Sequence, residues 1–158
     1  LEPPAMKSEK TWILIADGAR ARLVAAKASE GKLRLIEKQE LFAEHSPNRD
    51  LSGDRPSRVI ESQGDTKGTM RHAVEPRTDR HRELKRDFAK EIADVLDAKL
   101  GQQQFDKLVV VAAPVTLGDL RRALSEAVKS TVIAEVSKDL TKVPNDEVAR
   151  YIDDLIRP

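Results

Sequence analysis

The stretch 107–120, KLVVVAAPVTLGDL, places an apolar run directly before a helical pattern. The run from Leu108 to Ala113 is the longest apolar run in the chain and is rich in β-branched residues. Such a continuous run predicts a central strand that is covered on both faces of its sheet. Pro114 ends the strand, and Thr116, followed at the third position by Asp119, resembles a capping box that starts a helix. A buried strand followed at once by a helix is typical of an α/β domain.

Upstream of this stretch, three shorter runs have the composition of strands. The run 11–16, TWILIA, ends at the turn signal Asp17-Gly18. The runs 19–27 and 32–42 alternate apolar and charged residues, which is the pattern of half-buried strands. The short turns between the three runs predict an antiparallel meander. Residues 58–60, RVI, favour a further short strand at an edge of the sheet.

Helical periodicity dominates the second half of the chain. Thr78 or Asp79 is the expected cap of a helix whose apolar stripe ends at Gly101. Residues 131–136 predict another strand, and residues 144–146, PND, predict the start of a last helix. The order is therefore β-β-β-loop-α-β-α-β-α. It predicts a mixed sheet with helices packed against it, in the three-layer architecture of RNase H-like or related Rossmann-like α/β domains.

The composition limits the classes of protein to which this chain can belong. With 158 residues it is most simply one domain, and its charged fraction of 35% and mean hydropathy of -0.51 are typical of a soluble protein. The absence of cysteine excludes disulfides, zinc–thiolate sites and cysteine nucleophiles. No apolar run reaches the roughly 18 residues that a membrane span needs, so no membrane partner is expected.

The amino-terminal residues predict where the natural chain starts and where the protein acts. Residues 1–5, LEPPA, resemble the remnant of an expression tag, and Met6 is the expected natural start. The run 12–16 is too short for the apolar region of a signal peptide, so we expect a cytoplasmic protein. Residues 6–158 then form a single α/β domain with a long polar loop at about 43–79. A long loop inside a small domain is usually functional or disordered.

The candidate working surface is the loop and helix start at 61–86. Between Arg71 and Arg86 lie six basic and three acidic residues, although the net charge of the whole chain is only +1. Arginines in such a segment are able to hold phosphate groups through paired hydrogen bonds. The alternative is that Glu75 and Asp79 neutralise these arginines and fasten the loop to the helix. The candidate binding residues are Arg71, His72, Glu75, Arg77, Asp79 and Arg80.

Two forms of catalysis are compatible with the same region. His72 is a candidate general base that Glu75 or Asp79 would orient, because a free imidazole titrates near about pH 6.5. Asp17 is a candidate ligand of a metal-dependent nuclease, with Asp119 as a second carboxylate. The simpler alternatives are a hairpin turn at Asp17 and a helix cap at Asp119.

No cofactor and no metal site are predicted. The motifs GxGxxG, GxxxxGK[ST], GxSxG and HExxH are absent from the sequence. His45, His72 and His81 do not have the spacing of zinc ligands. Trp12 and Tyr151 fall at strand and helix positions and are expected in the core, so an aromatic platform for RNA bases is not predicted.

Four stretches together resemble the bacterial host attachment family, whose members are described as proteins required for attachment to host cells. The stretches are WILIADGARARLV (12–24), DRPSRVIES (54–62), RHAVEPRTD (71–79) and LVVVAAPVTLGDLRRAL (108–124). The resemblance covers essentially Met6 to Ile156. The family is similar in turn to the middle domain of eukaryotic-type peptide-release factors and of Pelota, which implies an α/β fold with the same order of elements.

The release-factor resemblance implies a loop that faces the ribosome or RNA. Active release factors carry Gly-Gly-Gln on the loop before the long helix, and residues 61–79 contain no such tripeptide. The expected function is therefore a non-catalytic binding or regulatory module, with the ribosome, RNA or a protein as its partner. The alternative is a hydrolase or metal-dependent nuclease that uses His72 with Glu75 and Asp79, or Asp17. The sequence leaves the oligomeric state open.

Overall fold

The computed structural model describes residues 9–29, 31–43 and 77–156. The strands in these ranges are β1 (Thr11–Ala16), β2 (Arg20–Ser29), β3 (Lys32–Phe42), β4 (Lys107–Ala112) and β5 (Val132–Ser137). The helices are α1 (Arg77–Gly101), α2 (Pro114–Ala123), α3 (Glu126–Lys129) and α4 (Asn145–Ile156). This order agrees with the predicted one, except that the second predicted helix is divided into α2 and α3.

The strands form one mixed sheet in the order β3-β2-β1-β4-β5. β2 is antiparallel to both β1 and β3, which confirms the predicted meander, whereas β4 is parallel to both β1 and β5. The three parallel strands therefore finish together, at Ala16, Ala112 and Ser137, and we call this the carboxyl end of the sheet. The chain leaves β1 towards β2 and leaves β4 towards β5. Because these directions are opposite, a topological switch point lies between β1 and β4.

Helices cover both faces of the sheet. One apolar cluster joins α1, α2 and α3 to the first face and includes Leu14, Leu96 and Leu120. A second cluster joins α4 to the opposite face and includes Ile13 and Ile152. Each large apolar side chain that is fully buried contributes roughly 1.5–3 kcal/mol. The two clusters therefore fix the helices, and with them the ends of the helices, relative to the sheet.

β4 is the central strand that the sequence predicts. Leu108 and Val110 belong to the cluster under α1–α3, while Val109 and Val111 belong to the cluster under α4. None of these four side chains is more than 1% exposed. The prediction of a strand buried on both faces is confirmed.

The start of α2 differs from the prediction. α2 begins at Pro114, and its N-cap residue, Ala113, makes no side-chain capping hydrogen bond. Proline suits the first helical position because it has no N–H group that needs a partner. Thr116 and Asp119 consequently lie inside the helix and are buried, so the predicted capping box is wrong. α1 also begins slightly earlier than predicted, at Arg77.

The helical pattern after β4 is interrupted at Leu124. The backbone of Leu124 is extended, with φ -68° and ψ 142°, and it ends α2. Ser125 then caps the short α3 by accepting a hydrogen bond of 3.1 Å from the amide of Val128. Both Leu124 and Val128 remain buried in the first cluster, which is why the sequence pattern continues across the break.

The two aromatic residues that the sequence places in the core differ from each other. Trp12 is 3% exposed and stacks on Phe105, with ring centroids 5.4 Å apart. Tyr151 is 46% exposed, because Ile152 occupies the inward position of α4. The ammonium of Lys138 lies 5.5 Å from the centre of the tyrosine ring. The core prediction is confirmed for Trp12 and wrong for Tyr151.

Some predictions concern residues outside the described ranges. They are the tag remnant at 1–5, the edge strand at 58–60 and nearly all of the polar loop at 43–79. Within the described ranges, no helix is both long enough and apolar enough to cross a membrane.

Candidate functional site

Several segments of the chain meet at the carboxyl end of the sheet. The amide of Ala43, which follows β3, donates to the carbonyl oxygen of Ala19 in the turn after β1 at 2.8 Å. The amide of Ala113, which precedes α2, donates to the carbonyl oxygen of Ala16 at 3.4 Å. The first turns of α1 and the segment after β5 reach the same place through the side-chain contacts described below. Ligands of open α/β sheets bind at this end, next to a switch point. This end of the sheet is therefore the candidate functional site.

The most buried charge at this end is the carboxylate of Asp119 in α2, whose side chain is 1% exposed. Arg82 of α1 donates to both of its oxygens, with Nη2 2.8 Å from Oδ1 and Nη1 3.2 Å from Oδ2. Arg122 donates to Oδ1 at 2.8 Å. These bonds fasten the start of α1 to α2.

The pKa of Asp119 reflects two opposing effects. Burial raises the pKa of this carboxyl group, because a charge is poorly solvated inside the protein. Hydrogen bonds and attraction from Arg82, and then from Arg122, lower it. The combined effect of the two arginines exceeds the effect of burial, so the pKa of Asp119 lies below its ordinary value. The carboxylate is therefore ionised at neutral pH, and its oxygens are occupied by the chain itself.

Asp17 is used in a similar way by the turn after β1. Its Oδ1 accepts hydrogen bonds from the amides of Ala19 at 2.7 Å and Arg20 at 2.9 Å. Its Oδ2 lies 3.1 Å from the hydroxyl oxygen of Thr141, which also donates to Oδ1 of Asp139 at 2.6 Å. The hairpin-turn interpretation of Asp17 is confirmed, and the same side chain ties this turn to the segment after β5.

The structure does not bring Asp17 and Asp119 together as a metal site. In the described part of the chain, no group of three or more His, Cys, Asp or Glu side chains is arranged to hold a metal ion. Asp119 faces two arginines, and Asp17 faces backbone amides and a hydroxyl group. The oxygens of both carboxylates thus have bonding partners within the chain.

A lysine lies across the turn after β1. A Cβ atom placed on Gly18 would come within 2.9 Å of each of Cγ, Cδ and Cε of Lys85. The half-buried stem of Lys85, which comes from α1, therefore occupies the space that a side chain at position 18 would need. A larger residue at position 18 would have to displace the Lys85 stem.

The predicted binding residues are only partly within the described ranges. Asp79 and Arg80 are exposed on the first turn of α1. Arg77 is the first residue of α1, and its side chain lies outside the description. Arg71, His72 and Glu75 precede the described part of α1, so their roles as binding or catalytic residues stay predictions.

Sequence reasoning missed the residues that organise this end of the sheet. Arg82 and Lys85 looked like ordinary solvent-facing charges of a helix, and Thr141 carried no motif. One available signal was Asp119, because a charged residue among the inward positions of α2 needs a buried partner. The identity of that partner, Arg82, depends on the packing of two helices and is not encoded locally.

The comparison with protein families agrees with the resemblance seen in the sequence. The family described as "Protein required for attachment to host cells" matches residues 12–152. The chain belongs to this family. The match extends from β1 to α4 and so includes every described strand and helix at least in part. The predicted resemblance to the host attachment family is confirmed, while the resemblance to release factors stays a prediction.

One curated relative matches part of the chain. An uncharacterized protein of Rickettsia prowazekii (strain Madrid E) is 31% identical over 90 residues, which are 54% of this chain and 59% of the relative. The chain thus spans about three fifths of the length of this curated relative.

Two solved structures are weakly similar to this chain. The PPX-GPPA enzyme of Aquifex aeolicus is 14% identical, with a TM-score of 0.36, over 81% of this chain and 36% of that one. A type II variant of the Aquifex aeolicus Ppx/GppA phosphatase is 16% identical, with a TM-score of 0.33, over 82% and 35%. The chain spans little more than a third of either protein.

Proposed function

We propose that this member of the host attachment family is a non-catalytic binding module that acts in the cytoplasm on the ribosome or on RNA. Its contact surface would be the segment 61–86, of which the structure describes the start of α1, beside the carboxyl end of the sheet. The architecture would be that of a release-factor middle domain without the hydrolytic tripeptide. The family description names a phenotype, attachment to host cells, and no mechanism. In this proposal, the phenotype would follow from an effect on translation.

The observation that carries the proposal is the use of carboxylates at the carboxyl end. Asp17 and Asp119 were the acids that the sequence offered for metal-dependent cleavage. Both oxygens of each are now engaged by groups of the chain itself. Acids that bond to the scaffold in this way support a binding surface more than a hydrolytic centre.

The charge of the adjoining segment supports an anionic partner. Residues 71–86 carry six basic and three acidic residues. Arg82 forms an ion pair with Asp119. Arg80 is exposed, and in the described part of the structure no carboxylate lies within 4.0 Å of its guanidinium group. Phosphate groups of RNA are recognised by such arginines and lysines without regard to base sequence.

The competing hypothesis is a hydrolase or nuclease. Its metal-dependent form would require Asp17 to give up its bonds to the turn. Its other form would use His72 with Glu75 and Asp79, of which only Asp79 is described. A cleavage activity that survives chelation of metal and disappears in a His72→Ala variant would favour this second form over the proposal.

Co-sedimentation with ribosomes and with purified RNA tests the proposal. The full chain is compared at about 50 mM and about 200 mM salt, because phosphate contacts weaken steeply over this range. The test variant is Arg71→Ala with Arg77→Ala. The matched control is Arg34→Ala with Arg150→Ala, which removes two charges from the groove between β3 and α4.

The proposal expects salt-sensitive association that is lost in the test variant and kept in the control. No association of the wild-type chain at either salt concentration would remove RNA and the ribosome as partners. Association that is insensitive to salt would point to a protein partner instead.

A further inference from the structure

The stem of Lys85 packs across Gly18, in the turn after β1. The turn after β1 is already closed by Asp17, which accepts two backbone hydrogen bonds there. Three methylene groups of Lys85 nevertheless lie against the one residue of the turn that has no side chain. A lysine packs its apolar stem along a surface and keeps its charged end near solvent. Because Cε of Lys85 lies at the turn, its ammonium group lies close to the turn as well.

This neighbourhood is the switch point of the sheet. Gly18 follows the end of β1, and Ala113 follows the end of β4, the adjacent parallel strand. The hydrogen bond between the amide of Ala113 and the carbonyl oxygen of Ala16 joins the two exits. The crevice outside such a pair of strand ends is where open α/β sheets bind their ligands. At the exit of β4, Ala113 carries only a methyl group and Pro114 is exposed.

Two neighbouring cations of α1 have different surroundings. Arg82 is bound to the buried carboxylate of Asp119. Lys85, less than one turn further along the helix, has no carboxylate within 4.0 Å in the ranges that the structure describes. A positioned lysine without an internal partner is suited to a phosphate group, which it binds as a point charge.

We propose that Lys85, held across Gly18, contacts a phosphate group in the crevice between the ends of β1 and β4. The phosphate belongs either to the backbone of RNA or to a phosphorylated small molecule. The inference rests on the proposed function for its choice of an anionic partner. It adds a defined residue and a defined place at which that partner is held.

Gly18→Ala and Lys85→Gln test the proposal in complementary ways. Lys85→Gln removes the charge. Gly18→Ala keeps the charge but displaces the lysine stem, which is a flexible chain that is able to move aside. Lys90→Gln removes an exposed lysine of the same helix and is the matched control. Thermal unfolding and the amide NMR spectrum of each variant establish that it is folded.

Two probes are titrated into the full chain. The first is a fluorescein-labelled single-stranded oligouridine RNA, followed by anisotropy. The second is inorganic phosphate, followed by the amide signals of residues 17–19 and 113–116. Loss of one charge-assisted hydrogen bond weakens binding by about tenfold. We expect this loss in Lys85→Gln and a similar loss in Gly18→Ala, with Lys90→Gln unchanged.

The outcomes separate this inference from the proposed function. RNA binding that is lost in the Arg71 and Arg77 double variant, but kept within twofold in Lys85→Gln and Gly18→Ala, would overturn the inference and leave the proposed function standing. Phosphate binding that depends on Lys85 in a chain that does not bind RNA would support the inference and remove RNA as the partner. A wild-type chain that binds neither probe would overturn the inference, and the co-sedimentation with ribosomes would then decide the proposed function.

Discussion

The two ends of the parallel strands use their charged side chains differently. At the amino end, the ammonium of Lys10 donates to the carbonyl oxygen of Gln103 at 2.8 Å, and Lys107 pairs with Glu9 at 3.2 Å. At the carboxyl end, the carboxylates of Asp17 and Asp119 are satisfied internally, while Lys85 has no such partner in the described ranges.

The difference between the two ends indicates which of them is available to an anionic partner. Lysines that bond to the chain's own oxygens act as part of the scaffold. A lysine that packs against the scaffold without an internal charged partner leaves its charge available to a ligand. The overall charge of +1 gives no hint of this arrangement, because it counts the two kinds of lysine alike.

The largest effect on stability is expected from Asp119→Ala. The substitution leaves Arg82 and Arg122 without their shared partner, although both arginines are partly exposed and regain some hydration. We expect the free energy of unfolding to fall by about 2–3 kcal/mol, which is the range for hydrogen bonds to buried charges. Urea denaturation measures this change. Glu126→Ala, which removes an exposed partner of Lys129, is the control and should cost less than about 0.5 kcal/mol.

The same carboxylate makes stability depend on pH. The pKa of Asp119 is lower in the folded chain than its ordinary value of 3.8, so its contribution is complete above that pH. This contribution to stability is lost as the pH falls below 3.8 and through the lower pKa that Asp119 has in the folded chain. We therefore expect the stability difference between wild type and Asp119→Asn to be constant near neutral pH and to shrink below about pH 4. A difference that grows on acidification would contradict the assignment.

A smaller effect should distinguish Asp17 at the carboxyl end from Asp106 at the amino end. Asp17 accepts two backbone hydrogen bonds in a partly buried turn, whereas Asp106 accepts one, from the amide of Lys10, at an exposed position. We expect Asp17→Ala to cost about 1–2 kcal/mol and Asp106→Ala about 0.5 kcal/mol. Equal losses in thermal and urea unfolding would mean that the two ends are held together by equally strong bonds.

Much of the fold could be predicted because it depends on local periodicity. The continuous apolar run at 108–113 has no arrangement other than a strand or helix buried on all sides, and the adjacent Pro114 favours a strand. The long helix ends at Gly101 as its pattern predicts. The sequence could not decide whether Tyr151 or Ile152 points inward from α4. Neighbouring residues are only about 100° apart around a helix, so the packing against the sheet decides between them.

The candidate site was less predictable because it depends on contacts between distant elements. The turn at Asp17 was visible as a local signal. The bonds from Arg82 to Asp119, and the passage of Lys85 over Gly18, join residues from separate helices and turns. Thr116 and Asp119 have the spacing of a helix cap in the sequence. Only the structure shows that Asp119 instead binds Arg82 and Arg122.

The most direct test of the account is the salt dependence of RNA binding for Lys85→Gln and Lys10→Gln. The two variants lose the same charge from opposite ends of the parallel strands. The account predicts that Lys85→Gln weakens binding by about tenfold and lowers the salt slope by about one phosphate contact, whereas Lys10→Gln binds like the wild type. Equal binding by both variants, or a larger loss in Lys10→Gln, would contradict the claim that the carboxyl end is the phosphate-binding surface.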